Sequence, residues 1–276
     1  MAEVESTRES TPKTSGFSPR GAFALVVYLV SRCRAVSLQV LGLVFAVVIW
    51  WVFSLALPPS FEGFSPIASF QKLISISSTD YFLDGVATTI GRLFMGLSLA
   101  ALVGALLGLI IAKVKTIHDL TYLVFQLLRM ISPLAWMPIA ILVFGTGTEA
   151  VVFLVSIAAV WPMMINTAQA VGLISPRWIE VAKTYGGGRL DIFKRVILPA
   201  IMPQVLSGLR VALGIAWVVI VPAEMIGVSS GLGYMILDFR DVVDYSGVAA
   251  TILTISVLGY VMDQGICLLI KKVQWT

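Results

Sequence analysis

VATTIGRLFMGLSLAALVGALLGLII, residues 86–111, holds one charged side chain, Arg92, in an otherwise apolar run. About 20 apolar residues suffice to cross the ~30 Å hydrocarbon core of a bilayer. The run shows no period-two alternation, so it is not a strand of a membrane barrel. In lipid the backbone must satisfy its own polar groups, which makes the segment a helix. Working outward, similar runs occur at 38–57, 119–144, 149–172, 203–226 and 247–270. The whole chain of 276 residues is 58% hydrophobic and only 12% charged, with a mean hydropathy of +0.97. A soluble domain carries about 25% charged residues. The expected fold is therefore all-α: a polytopic membrane protein of about six transmembrane helices.

The flanks read differently. Residues 1–20 are polar, rich in Ser, Thr, Glu and Pro, and predict a disordered tail. A long polar segment ahead of the first apolar run does not fit a cleavable signal peptide. Ala22 to Val30 is apolar but too short to span; with Arg20, Arg32 and Arg34 beside it, residues 21–37 predict an interfacial elbow helix. Residues 38–276 then form the membrane domain. The formal charge of +4 comes from basic residues in short loops between apolar runs, which argues against nucleic-acid binding. Cys33 and Cys267 lie at opposite ends of the chain and have no metal spacing; a single histidine, His118, excludes a multi-histidine metal site.

Loop charge sets orientation. With six spans, Arg8, Lys13, Arg20, Arg32, Arg34, Lys113, Lys115, Arg177, Lys183, Arg189, Lys194, Arg195, Lys271 and Lys272 all fall on one side. Only Lys72 and Arg240 fall on the other, among Glu62, Asp80, Asp84, Glu149, Asp238, Asp241 and Asp244. Both termini and the 173–202 loop are thus expected in the cytoplasm.

That loop contains EVAKTYGGGRLDIFKRVILP, Glu180 to Pro199. Ser175 and Pro176 suit a helix start, cap and first position respectively. Gly186, Gly187 and Gly188 suit its end, because glycine takes left-handed conformations readily. RLDIFKRVIL predicts a second short amphipathic helix, and Pro199 and Pro203 flank the beginning of the fifth span. On spacing alone this helix–glycine–helix unit is equally a surface loop lying on lipid headgroups or a docking knob. It is not a phosphate loop, since no G-x-x-x-x-G-K-S/T occurs in the chain.

The stretch resembles the EAA loop of ABC-importer permeases, in which Glu, a small pair, three residues, Gly, nine residues and Ile-x-Leu-Pro follow in order. Glu180, Val181, Ala182, Gly186, Val196, Leu198 and Pro199 keep that spacing, with Val181 and Val196 as mild departures. The similarity extends over about 38–270. TTIGRLFMGLSLAALVGALLG, SPLAWMPIAILVFGTG and SGLRVALGIAWVVIVPAEMIGVSSGLGY are similar to the nitrate, sulfonate, taurine and bicarbonate branch, and Trp161-Pro162 with Asn166-Thr167 lean toward its nitrate-type members. The resemblance implies a type I importer permease in a bacterial inner membrane, non-catalytic and without a cofactor of its own. It implies two cytoplasmic ATPase subunits holding ATP and magnesium, a second permease copy, most simply identical, and an extracytoplasmic binding protein. It places Glu180 to Tyr185 as the coupling helix seated in the ATPase, with Gly186 turning the chain beneath it.

Polar residues within spans are costly and often functional. Arg129 lies at mid-depth beside Pro133 and Pro138; it suits an anion pathway, or pairs with a helix end or snorkels. Asn166 and Gln169 share a face at i, i+3 and are candidates for helix–helix hydrogen bonding or for lining the pathway. Glu224 either lines a gate or pairs with an arginine. Arg92 and Arg210 are expected to snorkel or meet headgroups. Gly104 and Gly108 predict a close-packing seam, and Trp50, Trp51 and Trp275 interfacial anchors. A membrane-embedded enzyme lacks the clustered Asp, His or Cys it would need. A secondary transporter or channel is the stronger rival, but the chain shows no convincing internal repeat and such a protein gives the Glu180–Pro199 loop no purpose.

Overall fold

The structure, a computed structural model, describes residues 19–113 and 115–274. Expectations for residues 1–18, for the side chains of Cys33 and His118 and for Trp275 lie outside the described part. The described residues are mainly helical, with no strand among them, and divide into two units at residue 56. The first is one helix, α1, Pro19–Leu55, whose segment Ser37–Leu55 is apolar enough to cross a membrane. No break separates the stretch expected at the interface from the first span. Between Ala22 and Leu55 there is no proline and a single glycine, Gly42, so nothing in the sequence interrupts the helix.

The second unit contains α2 (Pro66–Ile76), α3 (Asp80–Lys113), α4 (Lys115–Leu128), α5 (Met137–Phe144), α6 (Thr148–Gly172), α7 (Pro176–Thr184), α8 (Arg189–Ile192), α9 (Leu198–Gly227), α10 (Leu232–Asp241) and α11 (Tyr245–Gln274). With α1, the helices α3, α6, α11 and the continuous stretch Arg189–Gly227 are long and apolar enough to span.

The expected span 119–144 is interrupted at the prolines that disturb it. The chain leaves helix after Leu128, makes a 3-10 turn at Pro133–Trp136 and resumes as the eight-residue α5. Pro133 lacks an N–H and holds Ser132 in an extended conformation (φ −58°, ψ 129°), so an α-helix cannot pass through. The expected separate helix RLDIFKRVIL is corrected. Only Arg189–Ile192 is α-helical, and Phe193–Ile197 is a π turn that feeds directly into α9. Pro199 fits in the first turn of α9, where its missing N–H costs nothing, and Pro203 lies inside the helix instead of at its beginning.

Helix α6 is the axis of the packed unit, lying along α3 on one side and α9 on the other. Its contact with α3 depends on glycine. A Cβ added at Gly96 would meet Val155 at 2.5 Å, one at Gly104 would meet Met163 Cβ at 2.6 Å, and one at Gly108 the Met164 carbonyl at 2.5 Å. Lipid provides no hydrophobic drive for helix association, so this close approach and the van der Waals contact it allows hold the pair together. Leu93, Leu154, Met163 and Ile220 are fully buried in the resulting core.

At the end of the bundle where α9 finishes, Phe82, Leu232 and Met235 form a smaller core. There α2 is tied down by Lys72, 2.7 Å from Asp244 and 5.5 Å from the Phe239 ring centre. Burial works to raise the Asp244 pKa. The Lys72 ammonium, the Ser246 hydroxyl and the Gly247 N–H overcome it and hold the carboxyl below its ordinary range.

Candidate functional site

The loop between α6 and α9 builds a knob. Ser175 occupies the cap position of α7 with Pro176 after it, but its hydroxyl makes no capping bond; the Trp178 N–H donates instead to the Ser175 carbonyl at 3.1 Å. The other end of α7 closes in a Schellman arrangement: the Gly186 N–H donates to Lys183 O and the Gly187 N–H to Ala182 O, both at 2.9 Å. Gly186 has φ +77°, the left-handed conformation such an end requires. A Cβ at Gly187 would sit 2.7 Å from the Ala182 carbonyl, so two of the three glycines have distinct reasons to be there. The helix ended in this way exposes Trp178, Val181 and Tyr185, the last at 88%. Beside it a groove of about 550 Å³ is lined by Trp178, Val181, Ala182, Arg195, Val196 and Pro199. Val196 lies in the π turn, and Leu198 and Pro199 open α9. The EAA-like residues from both ends of the loop therefore meet at one groove, except Glu180, Gly186 and Leu198, which lie outside its lining.

Arg129 sits where α4 stops. Beside it lies a half-open cavity of about 370 Å³ between α3, α4 and α6. Arg129, Gln126 and Gln169 bring polar groups to it, and Phe125 and Trp161, with ring centres 5.9 Å apart, wall one side. Among the described residues the Arg129 guanidinium has no carboxylate or hydrogen-bond partner. Asn166 does not join Gln169 there. Its amide donates to the Pro162 carbonyl of its own helix at 2.8 Å, and its side chain fills the space left by Gly208, where a Cβ would meet Asn166 Cβ at 2.7 Å. The shared-face expectation failed because i, i+3 residues are offset around the helix. Here the offset divides a face toward α9 from a face toward α4.

Glu224 and Arg92 are brought together at the opposite end of α9 from the knob. Arg92 Nη1 lies 2.9 Å from Glu224 Oε1, and the side chains are 4% and 0% exposed. The expectation that Arg92 snorkels is corrected: the Glu224 carboxylate and the Thr148 hydroxyl (3.2 Å), with the carbonyl and hydroxyl of Ser230 (2.7 and 2.8 Å), hold the guanidinium inside the bundle. Glu224 also accepts from the Thr89 hydroxyl at 2.8 Å and the Gly233 N–H at 2.9 Å, and Thr89 in turn accepts from the Leu232 N–H at 2.8 Å. Gly231, at φ +102°, lets the 228–233 loop fold over the carboxylate. Thr89 lies three residues before Arg92 on α3, a pairing visible in the sequence. Ser230 and Gly233 are reached only through the tertiary fold. Arg210 does not snorkel either. Its Nε and Nη2 donate to the two oxygens of Asp263 on α11, each at 2.7 Å.

Helices of membrane-spanning length around a glycine-packed axis, a half-open cavity carrying an arginine and two amides, and a knob with exposed apolar residues fit a membrane transport subunit that engages another protein. Comparison with known proteins makes this specific. Residues 102–274 match the family of binding-protein-dependent transport system inner membrane components, and the chain belongs to that family. It is 36% identical over 72% of its length to a putative ABC transporter permease of Methanocaldococcus jannaschii, covering 74% of that protein. It is 34% identical to the nitrate import permease NrtB of Leptolyngbya laminosa, over 64% of each chain. Identity to the bicarbonate transport system permease CmpB of Synechococcus elongatus is 30%, over 84% of this chain and 87% of that one. The fold matches the methionine ABC transporter MetNI, crystallised in inward-facing conformations, with a TM-score of 0.60 at 14% identity over 71% of this chain and 97% of that one. The protein is thus an inner-membrane permease subunit of an ABC importer with the type I fold, and a self-sufficient secondary transporter or channel is not favoured.

Proposed function

We propose that this permease forms the path for a small anion of the class of nitrate, bicarbonate or a sulfonate, and that Arg129 is the cationic station on that path. The observation that carries this is an arginine without a described partner, facing a cavity with two amides between α3, α4 and α6. A guanidinium presents N–H groups in a planar fork that matches oxyanions. The nitrate and bicarbonate permeases among its relatives support the same substrate class. Gln169 and Gln126 line the station with Arg129, while Asn166 and Glu224 act in packing. The chain performs no catalysis. The knob from Glu180 to Gly186, with Val196, Leu198 and Pro199 behind it, seats in a cytoplasmic ATPase, of which two copies carry ATP and magnesium. A second, identical permease copy completes the path, and an extracytoplasmic binding protein delivers the anion. Both termini lie in the cytoplasm.

The test is reconstitution of the permease in vesicles with its ATPase and binding protein, followed by uptake of nitrate, bicarbonate and taurine. The expected result is ATP-dependent accumulation of one of them, abolished by Glu180→Ala combined with Gly186→Val. Flux independent of ATP, or transport only of neutral or cationic solutes, contradicts the reading.

A further inference from the structure

Helix α2 is joined to one helix of spanning length and rests on another. The residues between Ile76 and Asp80, where α3 begins, are closed into a turn: the Thr79 N–H donates to Ile76 O at 2.9 Å and the Leu83 N–H to Thr79 O at 3.1 Å. Just before α2, the Phe61 ring stacks on Tyr245, the first residue of α11, with ring centres 4.3 Å apart. Lys72 reaches Asp244, one residue earlier. Both α3 and α11 are long and apolar enough to cross a membrane. Helix α2 is thus held where two spans begin, at the end of the bundle where α9 finishes and away from the knob.

Around α2 the side chains fall into three arcs, at about 100° per residue. Ser69, Leu73 and Ile76 turn toward the bundle: Ser69 is fully buried, and Leu73 and Ile76 pack against the small core of Phe82, Leu232 and Met235. Ile67, Phe70 and Ile74, at i, i+3 and i+7, share a second arc of about 60° and are 64%, 47% and 74% exposed. Gln71 and Ser75, also exposed, make the third. The one charge of the helix, Lys72, lies between the third arc and the first and is spent on Asp244.

We propose that the Ile67–Phe70–Ile74 face lies in the lipid surface of the leaflet away from the knob, so that α2 is an interfacial helix. The order bundle, apolar, polar is that of a helix lying along a membrane beside its spans: one side meets protein, the next acyl chains, the third water. The apolar arc carries neither a charge nor a hydrogen-bonding side chain, which suits hydrocarbon. It is continuous with the membrane boundary that α3 and α11 establish, because the turn at Ser77–Thr79 and the Lys72–Asp244 pair keep α2 from leaving their ends. A protein docking from the aqueous side would meet Gln71 and Ser75 instead. Through Leu73 and Ile76 the lipid contact bears on the core of Phe82, Leu232 and Met235. Leu232 in turn donates its N–H to Thr89, beside the Arg92–Glu224 pair. The membrane surface thereby steadies that end of the bundle, whichever solute is carried.

The test is a set of single variants, Ile67→Cys, Phe70→Cys, Gln71→Cys, Ile74→Cys and Ser75→Cys, each carrying a nitroxide, with Cys33 and Cys267 replaced by serine. They are measured in the complete transporter in lipid vesicles, without the binding protein. Collision with oxygen, which concentrates in lipid, is compared with collision with a water-soluble nickel chelate. The expected result is an oxygen-to-nickel ratio several-fold higher at Ile67, Phe70 and Ile74 than at Gln71 and Ser75. Equal ratios at all the labelled positions would put the apolar arc in water. Low collision with both reagents at Ile67, Phe70 and Ile74 would put α1 or the second permease over it. Either result overturns the proposal. All the labels replace side chains outside the packed core, so each preparation should keep the parental Tm, and the three apolar positions test the face independently if one of them does not.

Discussion

Arg92 and Arg129 stand on consecutive parts of one bundle, and the fold treats them in opposite ways. Arg92 is surrounded by Glu224, Ser230 and Thr148, so its charge is spent on holding α3, α6, α9 and the 228–233 loop together. Arg129 ends a helix that two prolines prevent from continuing, and its charge faces a cavity. A buried, fully bonded ion pair contributes to a unique structure, and removing one partner leaves the other stranded at high cost. A charge facing a cavity without a described partner contributes little to structure and is available to a ligand. The contrast separates a charge spent on structure from one left facing a cavity, and substitutions can probe each.

The largest expected effect is at the lock. Arg92→Ala or Glu224→Ala should cost about 3–5 kcal/mol, as expected for stranding a buried charge. Thermal unfolding of the purified permease in detergent would show this as a large fall in Tm. The double variant Arg92→Met with Glu224→Met should recover part of it, because no charge is left unpaired. If the single variants unfold like the parent, the cluster is not what holds that end together.

The knob should show a smaller and more local effect. Gly186 takes φ +77°, and Val there should lose about 1–2 kcal/mol of local stability. The spans should unfold at the parental temperature while ATPase subunits no longer co-purify. Retention of the ATPase at parental stoichiometry and activity would remove the knob from the coupling role.

The smallest effect comes from a second helix end of the same form. Helix α10 also closes in a Schellman arrangement, with the Val243 N–H bonded to Arg240 O and the Asp244 N–H to Phe239 O. The residue in the left-handed position is Val243, φ +61°, where a β-branched side chain is strained. Val243→Gly is expected to gain up to about 1 kcal/mol, the reverse sign of Gly186→Val. An unchanged or lower Tm would mean that the extra freedom glycine gives the unfolded chain offsets the relief.

Much of this was legible in the sequence because it depends on local chemistry. The apolar runs announce helices, Pro133 and Pro138 announce trouble in the third of the six expected spans, and Gly186 in its spacing announces the end of α7. The fate of the intramembrane charges was not legible. Arg92, Arg129 and Arg210 look alike as single charges in apolar runs. What distinguishes them is which carboxylate another helix brings within reach: Glu224 from α9, none among the described residues, and Asp263 from α11. The π turn at Phe193–Ile197 has no compositional signature either; it arises where the short α8 must join α9 without a break.

The most direct measurement is uptake by Arg129→Gln, with thermal unfolding followed on the same preparation. If Arg129 is the anion's cationic station, uptake should fall about tenfold or more, the scale of one lost charge-assisted hydrogen bond, while Tm and ATPase association stay at parental values. Uptake at the parental rate, or a loss that appears only together with unfolding, would contradict the assignment and make Arg129 a structural residue like Arg92.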